Sequence, residues 1–532
     1  MSGSGEGESG QARAGDTMPP PPAQPGFSAP RVTEPPRVEV TVQHFATEAP
    51  RVSEPPRSAR EREPSLFPDP PRSQRDGGAH PWVRTLNEAI DRYHDILTAY
   101  IDRGGEDHVA ILDRMVERGA VFAGRPICSF LRPQFLLRSQ HALIVETLRH
   151  FRSAVTKAKE AILADPALFA LMALTDGERR LIELNPEFRS FGVVTRLDTI
   201  LNGADLQLVE LNAEGAFGVS YSDRLTDLFE GFQPMREFAR ERPVSQLYAG
   251  NALVGAILDS WHEFGGTRVP RVAIVDWKEV ATRSEFDLVC ERFQRHGIPA
   301  RFVDPRELEY RDGELSAGGQ GIDVVYRRLL TSDILSREDE VRPLIEAYRA
   351  RVVCVVNSFR AKLLDKKMLF ALLFDPRISS RYTPEEAQAI RAHVPWTRRV
   401  ADERALGPDG ASIELLSWAA EHRAELVLKP NDEVGGRGVV IGSNVEQGVW
   451  ERALQLATID PSILQRRVAL PSAMFPEVGA AGELFFSRRY VELDPHLFRG
   501  ETRGVLTRLS ATTLSTVHAG AGTVPTFILE DV

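Results

Sequence analysis

A lysine followed by a glycine-rich turn is the most distinctive chemical feature of this 532-residue sequence. Lys429 ends an apolar run of strand type, and Gly435, Gly436 and Gly438 follow before a second apolar run. Glycines let backbone amides approach phosphate oxygens closely, and a lysine adds a point charge. The spacing is not that of a Walker A loop, and no helix pattern follows the glycines. The segment predicts a hairpin flap over phosphates, with a surface hairpin bearing a solvated lysine as the alternative.

Four polar residues upstream have the spacing that puts side chains on one face of a strand. They are Arg196 with Asp198, and Glu210 with Asn212, each pair two positions apart. Two carboxylates and an amide oxygen are ligands that suit Mg²⁺, which usually also takes phosphate oxygens and water. An arginine beside them can hold a γ-phosphate and the charge that develops on it. A salt-bridged surface hairpin would give the same pattern, and spacing alone does not separate the two.

Two further residues become candidates because of where they lie in the chain. Lys367 is on a predicted helix, where Lys362 and Lys366 are expected to face solvent. Gln465 is on a short apolar strand, where it could lie at an adenine edge with the neighbouring backbone. An ordinary edge strand with alternating faces is the alternative for Gln465.

A predicted β-hairpin has to bring the four polar residues together. Residues 191–201 and 206–215 are rich in strand-forming residues, and Asn202-Gly203 lies between them. Asn-Gly between two such runs is a strong hairpin signal. The fold is therefore expected to place the Asp198 and Glu210 carboxylates on paired strands.

The remaining chain alternates between helical and strand patterns. Residues 81–190 show mostly helical spacing of apolar residues. From Arg268 to Asn357, strand, helix and strand patterns alternate, which favours a small α/β unit with a parallel sheet. A capping box with proline at the first helical position begins a helix at Thr383. The class expected is α/β with additional α+β parts.

Residues 1–80 have the composition of a disordered tail. They are rich in Pro, Ser, Gly, Glu and Arg and nearly free of aromatic residues, so they cannot bury enough apolar surface to offset ordering entropy. A short repeat begins at Ala29 and again at Ala49. The tail is interpreted as a low-complexity linker, with docking to a partner as the alternative.

Bulk properties limit the class of protein. The net charge of −10 gives no basic surplus of the kind that nucleic-acid binding requires. The three cysteines are far apart, which signals neither a disulfide framework nor a zinc site. The sequence shows no long apolar run and no signal-peptide pattern at its first residues, so a cytoplasmic protein without membrane spans is expected.

Together these motifs resemble the circularly permuted ATP-grasp proteins, of which glutathionylspermidine synthetase is a well-known member. In that group an R-x-D strand and an E-x-N strand precede the nucleotide-binding lobe, as Arg196, Asp198, Glu210 and Asn212 do here. The group's later motifs are similar to a further set in this sequence, namely Lys367, Lys429 with its glycines, Gln465 and a late strand bearing Arg508. The resemblance covers about residue 81 to the end.

The resemblance implies a fold and a division of the chain. It implies a circularly permuted ATP-grasp fold with a small Rossmann-like unit and a helical N-terminal part. The expected parts are a disordered tail, a helical region with the metal-binding hairpin, an α/β pre-ATP-grasp-like unit and a nucleotide-binding lobe, over residues 1–80, 81–265, 266–358 and 359–532.

The resemblance also implies a reaction with ATP and Mg²⁺. In it, ATP phosphorylates a small-molecule or peptide carboxylate, and an amine attacks the acyl phosphate to form an amide. Lys367 and Lys429 would hold phosphates under the flap, and Gln465 would bind the adenine. Asp198, Glu210 and Asn212 would hold Mg²⁺, Arg196 would stabilise the transferring phosphoryl group, and Arg508 would bind phosphate or a substrate carboxylate.

Some features depart from the synthetase, and two other functions stay open. Where the synthetase has an N-terminal cysteine amidase domain, residues 1–80 read as a tail without a Cys/His hydrolase arrangement, and His518 stands where related permuted proteins are expected to have asparagine. The specificity for polyamine and glutathione is therefore not implied. A phosphotransferase on the same fold and a non-catalytic ATP-binding scaffold are the alternatives, although the complete set of metal ligands argues against a scaffold.

Overall fold

The chain was analysed as a computed structural model, which describes residues 80–105, 108–190, 192–479, 481–513 and 522–531. The predicted N-terminal tail, except for its last residue, lies outside these ranges. Among the helices within them, none combines the length and the apolar character needed to cross a bilayer.

The first part is helical, as the sequence predicts, with three short strands between its helices. Residue 138 begins the longest helix, and Gln140 caps it by accepting a hydrogen bond from the Leu137 amide at 3.1 Å. The elements are α1 (Pro81–Asp102), α2 (His108–Glu117), β1 (Val121–Phe122), β2 (Arg125–Pro126), β3 (Gln134–Leu137), α3 (Arg138–Ala164), α4 (Pro166–Leu171) and α5 (Asp176–Ile182).

The predicted hairpin is present. Its strands are β4 (Val194–Asn202) and β5 (Asp205–Asn212), and Asn202 pairs with Asp205, so Gly203 and Ala204 form the loop. Gly203 takes a φ of 60°, a conformation that glycine adopts readily. The chain continues through α6 (Val219–Gly231), α7 (Gln233–Glu241), β6 (Val244–Gln246) and α8 (Gly250–Phe264).

The α/β unit forms as predicted from the alternating pattern. Its elements are β7 (Val272–Val275), α9 (Arg283–Arg295), β8 (Ala300–Val303), β9 (Leu308–Arg311), β10 (Glu314–Ala317), β11 (Gln320–Gly321), β12 (Val324–Arg327), α10 (Thr331–Ser336), α11 (Arg342–Arg349) and β13 (Cys354–Val356). The parallel sheet has the order β13-β12-β7-β8. Strands β9 to β11 form a small antiparallel sheet that the sequence did not predict.

The next segment contains the lysine-bearing region and the flap. The lysine-bearing helix is broken at Lys366, whose ψ of 125° is extended rather than helical. The elements are α12 (Lys362–Asp365), α13 (Met368–Leu372), α14 (Pro376–Ser379), α15 (Pro384–His393), β14 (Thr397–Arg399), β15 (Arg404–Leu406), β16 (Ser412–Glu414), α16 (Leu415–Glu421), β17 (Leu426–Pro430), β18 (Val440–Ile441), α17 (Gln447–Ala457) and β19 (Ser462–Arg466). The predicted capping box at Thr383 is confirmed.

The last strands extend the sheet of the hairpin. They are β20 (Ser472–Val478), β21 (Leu484–Phe498), β22 (Glu501–Ser510), β23 (Gly522–Val524) and β24 (Thr526–Leu529). An antiparallel sheet has the order β23-β22-β21-β4-β5, with β20 also on β21, whereas β24 joins β3 and β6. The sequence assigned residues 359–532 to one nucleotide-binding lobe, but strands β20 to β23 pair with the hairpin's sheet instead.

Two sheets therefore contribute the walls of a cleft. The antiparallel sheet β14-β19-β17-β18 has its own small core, in which Leu426 and Leu428 pack with Trp450 and Leu464. The sheet of the hairpin packs on the large core formed with the N-terminal helices. Because each sheet has one face buried in its core, period-two side chains on the other face are free to line the space between them.

Candidate active site

Most of the residues singled out in the sequence meet in one cleft of about 790 Å³. Its size is within the range of small-molecule sites. The lining residues include Arg196, Asp198, Glu210, Asn212, Lys429, Gly435, Gly436, Gln465 and Arg508. Lys367 and Gly438 do not line it, although Lys367 bonds Glu210 and Gly438 lies between two lining residues, Arg437 and Val439.

Asp198 lies at the centre of the hairpin's polar face. It pairs with Glu210 across the two strands, so that the register is the one expected from the sequence. Arg196 donates to its Oδ1 from Nε at 2.9 Å, and Asn212 donates to the same oxygen at 2.9 Å. The hairpin thus gathers two carboxylates, an amide and a guanidinium on one surface.

The adjacent strand β21 adds Glu492 and Asp494, which the sequence interpretation missed, beside the predicted Arg508 of β22. Arg508 donates to Asp198 Oδ2 at 2.6 Å and to Asp494 Oδ2 at 2.6 Å, and lies 3.1 Å from Glu492 Oε1. Oxygens of Asp198, Glu492 and Asp494 all lie within 4.8 Å of one another. The spacing of Glu492 and Asp494, two apart on a strand of alternating pattern, was a usable signal. Arg508 joins three carboxylates that are distant in sequence.

The electrostatics of this cluster favour an ionised Asp198. Burial acts to raise its pKa, but the charges of Arg196 and Arg508 outweigh burial and lower the pKa to about 2. Burial raises the pKa of Asp494 well above its usual value, despite the opposing charge of Arg508. Asp198 is therefore a strong candidate for an anionic oxygen ligand, whereas Asp494 holds a proton more readily.

Lys429 reaches the cleft from the opposite wall. On β17, Leu426 and Leu428 are buried in the core, and the alternate residues Val427 and Lys429 line the cleft. The Lys429 ammonium donates to the Val209 carbonyl at 3.2 Å, next to Glu210. Burial lowers the pKa of Lys429, and the Glu210 carboxylate partly offsets this. The two sides of the cleft thus meet at a lysine and a carboxylate.

Lys367 links the hairpin to the flap. It lies at the start of α13, where its ammonium is 3.1 Å from Glu210 Oε1 and donates to the Glu433 carbonyl at 2.6 Å. Its own amide donates to the Asn431 carbonyl at 3.1 Å. Burial lowers the pKa of Lys367, but Glu210 and Asp365 raise it more, so the side chain stays charged. Lys367 therefore bonds Glu210 on one side and the base of the flap on the other.

Lys362 and Lys366 do not face solvent, and that prediction was wrong. Lys362 is 2% exposed and contacts Glu214 at 3.3 Å and the Asp432 carboxylate. Lys366 is 3% exposed and contacts Glu178 at 2.9 Å and Asp432 at 3.1 Å. The physical reason is that three acidic residues distant in sequence surround both ammonium groups. These lysines hold Asp432, and with it the start of the flap.

The glycine-rich turn adopts backbone conformations that require glycine. Gly435, Gly436 and Gly438 have φ values of 66°, 76° and 68°. A Cβ at Gly438 would lie 2.7 Å from Pro430 Cγ, whereas space around Gly435 is open. The flap therefore closes back on its own first strand at Gly438, and its amides are presented without side chains in the way.

Gln465 lies on the same wall of the cleft as Lys429, one strand further along the sheet. It is buried on β19 between Thr397 and Val427, and its amide donates to the Thr397 hydroxyl at 3.2 Å. The apolar residues Val427, Ile441, Val468 and Leu470 of this part of the chain also line the cleft. Apolar walls with a few polar groups suit a planar base. His518, which stands where related permuted proteins are expected to have asparagine, lies outside the described residues.

The circularly permuted ATP-grasp resemblance is confirmed by comparison with known proteins. Residues 293–462 match a protein family described as a circularly permuted ATP-grasp. The structure is similar to that of a glutathione synthetase-like effector from Globodera pallida in its apo form, with a TM-score of 0.51 and 13% identity, over 85% of this chain and 99% of that one. The similarity shows the fold predicted from the sequence.

Two curated relatives match parts of the chain. An uncharacterized protein of Synechocystis sp. is 28% identical over 44% of this chain and 49% of its own length. A Frankia casuarinae protein, provisionally named glutamate–cysteine ligase 2-2, is 27% identical over 48% of this chain and 28% of its own. The chain thus spans about half the length of the first relative that it matches and less than a third of the second.

Proposed function

We propose that this chain, which has the fold of the circularly permuted ATP-grasp proteins, is an ATP-dependent ligase that joins a carboxylate to an amine. One observation carries the proposal. Two lysines contact the metal-type hairpin: Lys429, which lines the cleft, is 3.2 Å from the Val209 carbonyl, and Lys367, which lies outside the cleft lining, is 3.1 Å from Glu210. A triphosphate with its divalent cations needs basic groups and oxygen ligands at this kind of separation.

The phosphates would lie between the lysines and the flap. Lys429 and Lys367 supply the positive charges, and the turn with Gly435, Gly436 and Gly438 supplies backbone amides. The base would lie against the apolar side chains of Val427 and Ile441, with Gln465 at its edge. Both lysines are largely removed from water, and the low local dielectric would strengthen their contacts with the phosphate oxygens.

The hairpin residues fit a divalent cation. Asp198, Glu210 and Asn212 would hold Mg²⁺, and they offer the carboxylate and amide oxygens that Mg²⁺ prefers. When bound, Mg²⁺ would neutralise charge on the phosphate oxygens. In the structure these carboxylates are bonded by Arg196, Arg508 and Lys367. When ATP and Mg²⁺ bind, Mg²⁺ would take over the carboxylates, and these arginine and lysine side chains would pair with the phosphates instead. Binding would thus replace one set of ion pairs by another and leave no buried charge unpaired.

The chemistry then follows in two balanced steps. A carboxylate oxygen of the first substrate attacks the γ-phosphorus, the bond to the β-phosphate oxygen breaks, and ADP leaves. The amine nitrogen of the second substrate attacks the acyl carbon, inorganic phosphate leaves, and the nitrogen loses a proton. Arg196 and Arg508 stabilise negative charge on the transferring phosphoryl group. The cleft walls and the flap keep water from the acyl phosphate.

Trapping of the acyl phosphate tests the proposal. The protein is incubated with Mg²⁺, ATP, pools of carboxylates and hydroxylamine, which converts acyl phosphates into hydroxamates. Equal amounts of ADP and hydroxamate are expected, and Lys429→Met should abolish both. ADP without hydroxamate, with phosphate transferred to the substrate, would establish a phosphotransferase instead. ATP binding without any turnover in every pool would indicate a binding module.

A further inference from the structure

The cleft continues beyond the hairpin to one edge of the α/β unit. Strands β7 and β12 are neighbours at the centre of its parallel sheet, and the chain proceeds outward from them in opposite directions, to β8 and to β13. Ligands of open α/β sheets bind at such a switch point, outside the carboxyl ends of the strands. The residues that follow these two strands are Asp276 and Arg328, and both line the cleft. The Arg328 amide donates to the Val275 carbonyl at 2.9 Å, which fixes the two residues side by side.

Asp276 is a buried carboxylate that forms no ion pair within the described part of the chain. Its exposed fraction is 8%, and Oδ1 accepts a hydrogen bond from the Trp277 amide at 2.9 Å. Oδ2 has no hydrogen-bond partner among the described residues, although the side chain lines the cleft. A carboxylate removed from water is costly unless it is paired or hydrogen-bonded. The oxygen that faces the cleft therefore lacks a partner that a ligand could provide.

The neighbouring charges do not neutralise Asp276. Arg328 is 6% exposed, lies 3.8 Å from Glu285, and donates to the Ala216 carbonyl and to the Tyr326 hydroxyl. Its charge is thus balanced by a second buried carboxylate.

Two other arginines are engaged elsewhere. Arg306 pairs with Asp304 and Glu279, and Arg337 stacks at 4.5 Å over the Trp277 ring. Asp333, in the first turn of α10, also lines the cleft and forms no ion pair within the described ranges. Asp276 and Asp333 thus both line this end of the cleft and form no ion pair among the residues that the structure describes.

We infer that Asp276 and Asp333 form the subsite for the second substrate and that this substrate binds as an ammonium ion. The inference rests on the proposed ligase function, in which the neutral amine is the nucleophile, so the bound ammonium first gives one proton to a carboxylate of this subsite and the resulting amine then attacks the acyl carbon. An ammonium would donate to Asp276 Oδ2 and approach Asp333, while its bonds to the two carboxylates replace those to water. The chemical class is an alkyl ammonium, because two carboxylates, Asp276 and Asp333, line this end of the cleft.

Calorimetry with defined probes tests this inference. The protein saturated with Mg²⁺ and the ATP analogue AMP-PNP is titrated with diaminopentane and, separately, with pentanediol, which has the same length and no charge. The diamine is expected to bind and the diol not. Asp276→Asn and Asp333→Asn should each weaken diamine binding by about tenfold or more, since each removes a charge-assisted contact. The affinity for AMP-PNP should stay unchanged.

A matched control separates the subsite from general surface charge. Asp339→Asn also removes a carboxylate from this segment, but Asp339 is exposed, pairs with Arg342 and does not line the cleft. It should leave both affinities unchanged. Equal binding of diol and diamine, or unchanged diamine affinity in Asp333→Asn, would overturn the inference. Failure of the parent protein to bind AMP-PNP would instead contradict the proposed function. If Asp276→Asn does not fold, Asp333→Asn alone decides, since that side chain is only half-buried.

Discussion

The ammonium of Lys367 lies 3.1 Å from a carboxylate oxygen of Glu210. The first residue was predicted to hold phosphate and the second to hold Mg²⁺, and in the structure they hold each other. Similar pairs join Arg508 and Arg196 to Asp198. A site organised in this way stays neutralised until the nucleotide and its metal bind, and its side chains are already held near their working positions.

Asp198→Asn and Glu210→Gln are expected to abolish ATP turnover, and Asp198→Asn should also lower stability, because it breaks the buried ion pairs of Asp198 with Arg196 and Arg508. Each variant keeps the shape of the side chain but removes an anionic oxygen from the proposed Mg²⁺ site. Removing a group that only hydrogen-bonds a metal ligand lowers metal affinity or activity by about 10–100-fold. Removing a ligand itself should therefore lower turnover by at least about a hundredfold. ADP release measures the effect, and circular dichroism checks the fold. Glu241→Gln, which changes an exposed carboxylate paired with Arg92, is the control. Full turnover in either variant would exclude these residues as metal ligands.

Much of the site was predictable because its signals are local. The hairpin followed from strand patterns around Asn202-Gly203, and the flap followed from the glycines after Lys429. The parallel sheet of the α/β unit followed from alternating strand and helix patterns. Period two then placed Asp198 and Glu210 on one surface without any knowledge of tertiary structure.

The remainder depends on contacts between distant parts of the chain. Lys362 and Lys366 were expected in solvent because lysines on helices usually face it. The carboxylates that hold them come from positions 178, 214 and 432, which the local pattern does not reveal. The pairing of β21 with β4, for instance Leu493 with Thr199, is equally distant in sequence. A pattern within one strand does not reveal which other strand it joins, so Glu492 and Asp494 were missed as neighbours of Asp198.

Gly438→Ala is expected to weaken ATP binding by distorting the flap. The residue has a φ of 68°, and a Cβ would lie 2.7 Å from Pro430 Cγ. The left-handed conformation alone costs an ordinary residue roughly 1–2 kcal/mol. The KM for ATP should therefore rise by about tenfold. Gly231→Ala is the control, because Gly231 has open space around its Cβ position and no positive φ. An unchanged KM would show that the flap does not contact the nucleotide.

Lys362→Met is expected to destabilise the protein strongly. The substitution keeps the apolar stem but leaves the buried Glu214 without one of its two cationic partners and removes a contact of Asp432. Breaking a buried ion pair by removing one partner costs about 3–5 kcal/mol. The free energy of unfolding in urea measures the effect. Arg342→Met breaks an exposed pair with Asp339 and should cost no more than about 1 kcal/mol. If the two variants lost equal amounts of unfolding free energy, the buried ion-pair network around Lys362 would contribute little to stability.

The ammonium subsite is expected to depend on pH through Asp276. Burial raises the pKa of Asp276 to about 6, partly offset by the charge of Arg328 and reinforced by Asp333 and Asp304. An alkyl amine stays protonated far above this range, as the lysine pKa of about 10.4 indicates. Only the protein side of the contact therefore changes charge between about pH 5 and pH 8. Diamine affinity should be greatest above about pH 6 and fall below it, and the affinity of Asp276→Asn should be low and independent of pH.

The raised pKa of Asp276 also predicts how protein stability depends on pH. Raising the pH should lower the contribution of Asp276 to stability, whereas it should raise the affinity for diamine. The folded pKa of Asp276 is raised from 3.8 to about 6, so the folded state binds the proton more tightly than the unfolded state. The contribution of Asp276 to stability is therefore fully present below about pH 4 and is lost as pH rises to about 6. Above that range the unpaired carboxylate destabilises the fold, and Asp276→Asn should raise the melting temperature at about pH 8 relative to its effect at pH 4. Diamine should raise the melting temperature of the parent protein at about pH 8 but not that of the variant. A melting temperature that falls in Asp276→Asn at both pH values would show that Asp276 serves the fold and not a ligand.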